Sequence, residues 1–353
     1  MARDPQVDLI FSHFIPRYVA TGIDINDIDR MRARIESWSE WCRVWSEQGA
    51  LHEGLAHEAA AKGRSVTARD AYLRAAIYYH YGKHLFGAQP DAYLATHRAM
   101  LRCYEAMARF EERMERIAIP FEEGRLAGWL RRPPGVAKPA VAIILPGLDA
   151  CKEELHAWSD AFLERGLATL QLDGPGQGEV AFEMPIRTDW GRVIGAAIDV
   201  LERRGDVDAA RVGIVGQSLG AIYAPLAAAF EPRLKACIAN CGPFNFGPVL
   251  PLLPRVSQDL FRIRAHLATM DEALALAHRL SLDNGVAAQI KCPLLVLFGA
   301  GDRIVPASEG EKLAKAAGGP VDFVVYEEGN HVCFNIPYKF RPLTADWMAE
   351  TLT

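Results

Sequence analysis

From Ala140 onward the chain repeats one pattern, in which a short, solidly apolar run is followed by a segment with helical spacing. Ala140–Leu145, Ala168–Leu172, Arg211–Val215, Leu234–Ala239, Leu294–Phe298 and Asp322–Tyr326 are the runs. Residues 154–165, 188–204, Leu219–Phe230, 308–317 and 342–352 read as the helices. Strands that are apolar on both faces must be covered on both faces. The pattern therefore calls for an α/β fold, a mostly parallel sheet with helices on both faces. Ahead of it, Arg116–Phe121 and Leu126–Arg131 flank Glu122-Glu123-Gly124-Arg125 as a β-hairpin, which Pro133-Pro134-Gly135 ends. Between the strands at 234 and 294 lies a mostly helical insert, about 243–290. It is placed to form a lid over the carboxyl edge of the sheet, where such folds bind ligands.

Residues 1–114 read as an all-helical N-terminal domain ahead of a second domain at 115–353. Asn26 or Asp27 is expected to cap a helix running through Met31, Ile35, Trp38, Trp41 and Trp45. Thr67 and Asp70 resemble a capping box that would open a helix from Ala71 to Phe86. Pro90 suits the first turn of a third helix, through Tyr93, Met100, Tyr104 and Phe110. The region carries Trp38, Trp41, Trp45, Tyr72, Tyr78, Tyr79 and Tyr81, more aromatic surface than a free bundle of this size needs. Part of it is expected to pack on the second domain or on another subunit, the latter giving a homodimer.

Half the residues are hydrophobic, about a quarter are charged, and the net charge is −5. That balance suits a soluble globular protein and argues against nucleic acid or an anionic membrane as partner. No apolar run approaches the roughly 20 residues that span a bilayer. The N-terminus shows no apolar core of a signal peptide. Seven cysteines, with no C-x-x-C pair, suit buried thiols in a reducing compartment. A cytoplasmic protein is the expectation.

The strongest chemical signal is Gly216-Gln217-Ser218-Leu219-Gly220, which ends one apolar run and opens a helix of small residues. Strand, tight turn and helix are what a nucleophile elbow requires. Only small residues two places either side of the serine let strand and helix pass so closely. A serine hydroxyl is a poor nucleophile until a base takes its proton. Asp302 leaves the strand at 294–298 and His331 leaves the strand at 322–326. Both therefore reach the sheet edge that carries Ser218, in the chain order Ser, Asp, His. The amides of Leu219 and Leu148 are the expected oxyanion donors, with Asp149 as the fallback, because Gly147 allows close backbone approach. Asp259 and Glu327 are the alternative acids. Phe244, Phe246 and Tyr223 are candidate pocket residues.

Other motifs fail on their spacing. In Asp173-Gly174-Pro175-Gly176-Gln177-Gly178-Glu179 a glutamate stands where a dinucleotide fingerprint needs its last glycine, and Pro175 lacks an amide. His52 and His57 are five apart and fall on different sides of a helix. His80 and His84 share a face but have no evident third ligand. Neither a metal nor an organic cofactor is expected.

The chain resembles the α/β-hydrolase superfamily over about 120–353. Within it, it is similar to the group of the bacterial 2,6-dihydroxypseudooxynicotine hydrolase, the fungal polyketide-shortening hydrolases and the FrsA-like esterases. The likeness is carried by Pro146-Gly147-Leu148-Asp149-Ala150-Cys151-Lys152-Glu153-Glu154, by 173–179, by Ser218-Leu219-Gly220 and by Glu231-Pro232-Arg233-Leu234. An all-helical N-terminal segment is also a mark of that group. The resemblance implies an α/β-hydrolase sheet and triad roles for Ser218, Asp302 and His331. It also implies hydrolysis of a carbon–carbon bond beside a ketone, or of an ester, in a small molecule and without a cofactor. The nicotine-degrading members carry a further catalytic carboxylate soon after the sixth strand. Here 242–257 holds no Asp or Glu, and its apolar character suits a hydrophobic or aromatic substrate. An acyl transferase or cyclase could use the same triad. A non-catalytic binding protein would be expected to lack Ser, Asp or His, and none is missing.

A chain begun near Glu115 tests the helical region. If it folds, stays soluble and keeps its KM for substrate, the first 114 residues contribute nothing to the site.

Overall fold

The computed structural model describes residues 4–84 and 89–353. The chain divides into two compact units, Met1–Met114 and Glu115–Thr353.

The described residues of the first unit form helices α1 (Pro5–Ala20), α2 (Ile25–Arg34), α3 (Trp41–Ala61), α4 (Ser65–Lys83) and α5 (Pro90–Ala108). Asp4 and Asp24 cap the first two, accepting from the amides of Gln6 at 2.9 Å and Asn26 at 2.8 Å. The aromatic residues form the core of the unit. The Trp45 ring lies 5.1 Å from Tyr18, 5.6 Å from Trp41 and 5.8 Å from Tyr81. Trp41 Nε1 donates to the Tyr81 carbonyl at 2.8 Å, so its buried polar atom is satisfied.

Two expectations for this unit need correction. The helix predicted through 26–45 is broken. α2 ends at Arg34, and the Glu40 carboxylate accepts from the amides of Glu36 at 2.9 Å and Ser37 at 3.2 Å, which starts a new helix there. The apolar spacing runs through the break because both helices bury the same side, and Ser37-Trp38-Ser39-Glu40 was the overlooked start signal. Thr67 and Asp70 do not open α4, which already begins at Ser65 with Thr67 in its first turn. The expected end of that helix, Phe86, lies outside the described residues. Pro90 does stand at the first position of α5.

The second unit is an eight-stranded sheet: β1 (Met114–Phe121), β2 (Gly124–Arg131), β3 (Ala140–Leu145), β4 (Ala168–Asp173), β5 (Asp208–Gln217), β6 (Leu234–Asn240), β7 (Leu294–Gly299) and β8 (Val321–Tyr326). Their order across the sheet is β1-β2-β4-β3-β5-β6-β7-β8. β2 runs antiparallel to β4, and every pair from β4 to β8 is parallel. The helices are α6 (His156–Leu163), α7 (Trp190–Glu202), α8 (Gly220–Phe230), α9 (Arg255–Arg264), α10 (Met270–Arg279), α11 (Ala307–Ala316) and α12 (Pro337–Thr351).

Alternation along the strands divides the core. Ile144, Val215, Ile238 and Leu297 face α6 and α12, against Trp158, Phe162, Phe340 and Met348. Ile143, Ile214, Cys237 and Val296 point the other way, where α7, α8 and α11 pack. The sheet is thus mostly parallel with helices on both faces, as its all-apolar strands require. The insert between β6 and β7 holds α9 and α10. Its base is closed by Phe246 N donating to Leu280 O and Leu282 N donating to Phe244 O, both at 2.9 Å. All seven cysteines are free thiols, Cys292 alone being partly exposed. Among the described residues, no helix is long and apolar enough to cross a membrane.

Trp158 is buried between α6 and α12, and its Nε1 donates to Thr344 Oγ1 at 3.0 Å. Trp158→Ala is expected to cost about 3–5 kcal/mol. Chemical denaturation measures it, and a loss below about 1 kcal/mol would show that this layer does not carry the fold.

Candidate active site

The site is assembled at the carboxyl edge of the sheet from the ends of β3, β5, β7 and β8. At the end of β5 the backbone turns so sharply that Ser218 takes φ 54°, a conformation non-glycine residues rarely adopt. Its amide donates to Asn240 O at 2.9 Å, which ties the turn to the end of β6. The flanking glycines are sterically required. A Cβ on Gly216 would lie 1.9 Å from Gly220 O, and one on Gly220 would lie 2.5 Å from Pro146 O.

Asp302 and His331 meet because the loops after β7 and β8 interlock through glycine. A Cβ on Gly299 would sit 2.3 Å from Gly329 O, and Gly301 N donates to that same carbonyl at 2.9 Å. These glycines are a signal that the sequence reading passed over. His331 is followed by Val332 at φ 61° and Cys333 at φ 60°, which turn the chain back into the protein. Asn240 Nδ2 donates to Val332 O at 3.4 Å, so one residue supports both the serine turn and the histidine loop.

The three side chains form a continuous line. His331 Nε2 lies 2.9 Å from Ser218 Oγ, and His331 Nδ1 lies 2.7 Å from Asp302 Oδ2. The other oxygen of Asp302 accepts from the amides of Ile304 at 2.8 Å and Val305 at 2.9 Å. Burial pushes the Asp302 carboxyl up. The charge and hydrogen bond of His331, together with those two amides, outweigh burial and hold it below its ordinary value. An ionised carboxylate only accepts, so Nδ1 carries the proton and Nε2 presents its lone pair to Ser218. The alternative acids lie elsewhere. Asp259 pairs with Arg255 within α9, and Glu327 is exposed.

Gly147 brings the loop after β3 against the serine. A Cβ there would stand 3.0 Å from Ser218 Cβ and 3.5 Å from its Oγ. The amides of Leu148 and Leu219 donate to no acceptor among the described residues. The three candidate pocket residues are all buried. Tyr223 stacks on Trp190 at 4.0 Å, Phe246 packs on Phe261 at 5.1 Å, and Phe244 N donates to Glu309 Oε2 at 3.0 Å.

Among the described residues, one group could offer three metal ligands. Cys241, Asp302 and His331 present donor atoms within 4.8 Å of one another. Two of the three are already engaged in the line to Ser218. His52 lies 3.3 Å from an Asp27 oxygen, and His57 lies 3.0 Å from the Tyr72 hydroxyl. His84 Nε2 lies 3.3 Å from Arg17.

This strand order, with serine, aspartate and histidine leaving β5, β7 and β8 on one edge, is that of a hydrolase on the α/β-hydrolase fold. The model of the FrsA-like esterases matches residues 34–324, and the chain belongs to that family. It is 27% identical over 336 residues to the 2,6-dihydropseudooxynicotine hydrolase of Paenarthrobacter nicotinovorans, covering 95% of this chain and 91% of that one. A crystal structure of 2,6-dihydroxy-pseudo-oxynicotine hydrolase superposes with a TM-score of 0.87 over 96% of this chain and 95% of that chain, at 27% identity. The 20-hydroxy-prefusarin hydrolase of Gibberella moniliformis is 30% identical over 305 residues, 72% of each chain.

Gly216→Ala is expected to force strand and helix apart at the serine, at a cost of about 1–3 kcal/mol. Thermal unfolding is the measurement. An unchanged Tm with full activity would show that the turn tolerates the methyl group.

Proposed function

We propose that the protein is a serine hydrolase that cleaves an acyl bond in a hydrophobic or aromatic small molecule through an acyl-enzyme. The observation that carries this reading is the unbroken line from Asp302 through His331 to Ser218. His331 Nε2 takes the Ser218 proton as Oγ attacks the substrate carbonyl. The carbonyl oxygen gathers charge and is met by the Leu148 and Leu219 amides, the second at the positive end of α8. Asp302 holds the imidazole in the required tautomer and steadies the imidazolium. His331 then protonates the leaving group, and water, activated by the same imidazole, releases the acid and restores Ser218.

The bond we favour is a carbon–carbon bond beside a ketone, of the 1,3-dicarbonyl or acyl-phenol kind. There the departing carbanion is stabilised by resonance, and a histidine proton suffices to complete the cleavage. The similarity to the pseudooxynicotine hydrolase supports this choice. Ester cleavage is the second reading, supported by membership of an esterase family. An acyl transfer or cyclisation at the same serine would be distinguished by the mass of the product. The insert of α9 and α10 acts as the lid. We take the enzyme to be a cytoplasmic homodimer, which sedimentation analysis tests.

Labelling with a fluorophosphonate, followed by peptide mass analysis, should place the adduct on Ser218. A screen of aryl esters against aryl 1,3-diketones then separates the two bonds. Ser218→Ala is expected to lower kcat by roughly 10³–10⁶-fold with an unchanged circular dichroism spectrum. A variant that keeps more than a tenth of wild-type activity would remove Ser218 from the role. Asp302→Asn is expected to cost about 10⁴-fold, because an amide in place of the carboxylate favours the wrong imidazole tautomer. Should Asp302→Asn be harmless while Asp259→Asn or Glu327→Gln is not, the acid is wrongly assigned.

A further inference from the structure

The loop after β3 faces two opposing demands. Glycine at 147 keeps the loop clear of the serine, since a Cβ there would stand 3.0 Å from Ser218 Cβ and 3.3 Å from Gln217 O and would crowd both. Glycine also leaves the next peptide, which carries the Leu148 amide, freer to rotate than any other residue would. An oxyanion donor is useful only when its direction is set before the charge develops. Something outside the loop has to hold it.

The segment after β4 does so. Gln177 is buried, and its Nε2 donates to Pro146 O, the carbonyl immediately before Gly147, at 2.6 Å. Its Oε1 accepts from Gly174 N at 3.0 Å, so the two partners between them fix which way the carboxamide points. The turn that presents Gln177 has no freedom of its own. Gly176 and Gly178 take φ 76° and 43°, and a Cβ on Gly178 would lie 1.8 Å from Asp173 Oδ2.

Asp173 is in turn locked into a buried charge cage. The ammonium of Lys152, wholly buried, lies 2.7 Å from Glu153 and 3.1 Å from Asp173, and also binds Glu179. Asp173 Oδ1 accepts the Lys152 amide at 2.8 Å, and Gln171 Nε2 donates to Lys152 O at 2.7 Å. The loop from 146 to 152 is therefore pinned at both ends by the single stretch 171–179. Breaking a buried ionic cage is costly, which makes it a stiff mount for a hydrogen bond.

We propose that Gln177 is a positioning residue for the oxyanion hole: its carboxamide, mounted on the Lys152 cage, holds the Pro146 carbonyl and so aims the Leu148 amide at the acyl oxygen. The proposal rests on the reading of Ser218 and Leu148 given above.

The test is the second-order rate constant for fluorophosphonate labelling of Ser218 in the full-length protein, since the phosphoryl oxygen takes the oxyanion position. Gln177→Met keeps the length of the side chain and removes the donor. It is expected to slow labelling about 10- to 100-fold, somewhat less than loss of a whole oxyanion donor, while the final fraction labelled stays near that of wild type. A merely structural role would do the reverse, lowering the fraction labelled and leaving the rate constant of the folded molecules unchanged. That result overturns the proposal, as does labelling at the wild-type rate, and in both cases the Ser218 reading stands. If wild-type Ser218 takes no label at all, that reading fails and the proposal falls with it. Gln177→Leu, which also lacks the donor, replaces the methionine variant if the latter does not fold, and the same two outcomes decide.

Discussion

Everything at the candidate site depends on one tight crossing, where the backbone of β5 turns through Ser218 into α8. With Gly216 pressed on Gly220 and Gly220 on Pro146, neither glycine tolerates a side chain, which lets strand and helix pass closely on either side of the serine. The strain of its left-handed backbone is borne by the parallel strands on either side and by the bond from Ser218 N to Asn240 O. That geometry also leaves the Leu219 amide at the start of α8 without an acceptor among the described residues. The serine hydroxyl of the hydrogen-bonded line and this amide thus arise from a single backbone turn.

The rest of the site is fitted to that turn by backbone contacts more than by side chains. The loops after β7 and β8 are interlocked through Gly299, Gly301 and Gly329, and this contact sets the separation of Asp302 and His331. Asn240 then joins the histidine loop to the serine turn. Asp302 sits in a nest of two amides and one imidazole that outweighs the penalty of its burial. Each partner of the hydrogen-bonded line is held at its own strand end.

The centre of the sheet was legible because strands such as β3 and β7 are buried on both faces and read as uninterrupted apolar runs, a pattern few other elements produce. That Ser218, Asp302 and His331 come together was legible for a related reason, since each follows a strand of the parallel run on the same edge. What escaped reading was the work done by small and polar residues. The turn at 173–179 looked like a failed nucleotide motif, because its glycines serve backbone packing against Asp173 and its glutamine serves another loop. In the first unit, helical spacing runs unbroken through residues 35–40, and only the Glu40 carboxylate reveals that one helix stops and another starts. α1 runs through Pro16, a residue that commonly marks the end of a helix, so the sequence of 5–20 gives no plain helical signal.

The strand order also sets the sequence in which the sheet can be made. Of the strands, β1 and β2 leave the ribosome first, yet β2 pairs with β4, and β4 lies between β2 and β3. The hairpin cannot dock when β3 appears; it must wait until α6 has crossed and β4 has been delivered beside its predecessor. Until then Leu126, Trp129 and Leu130, all buried in the finished protein, have no surface to cover them. Non-local pairing of this kind slows folding and exposes apolar strands in the meantime. The nascent chain is therefore most vulnerable to aggregation in the interval between β2 and β4, well before the catalytic edge exists.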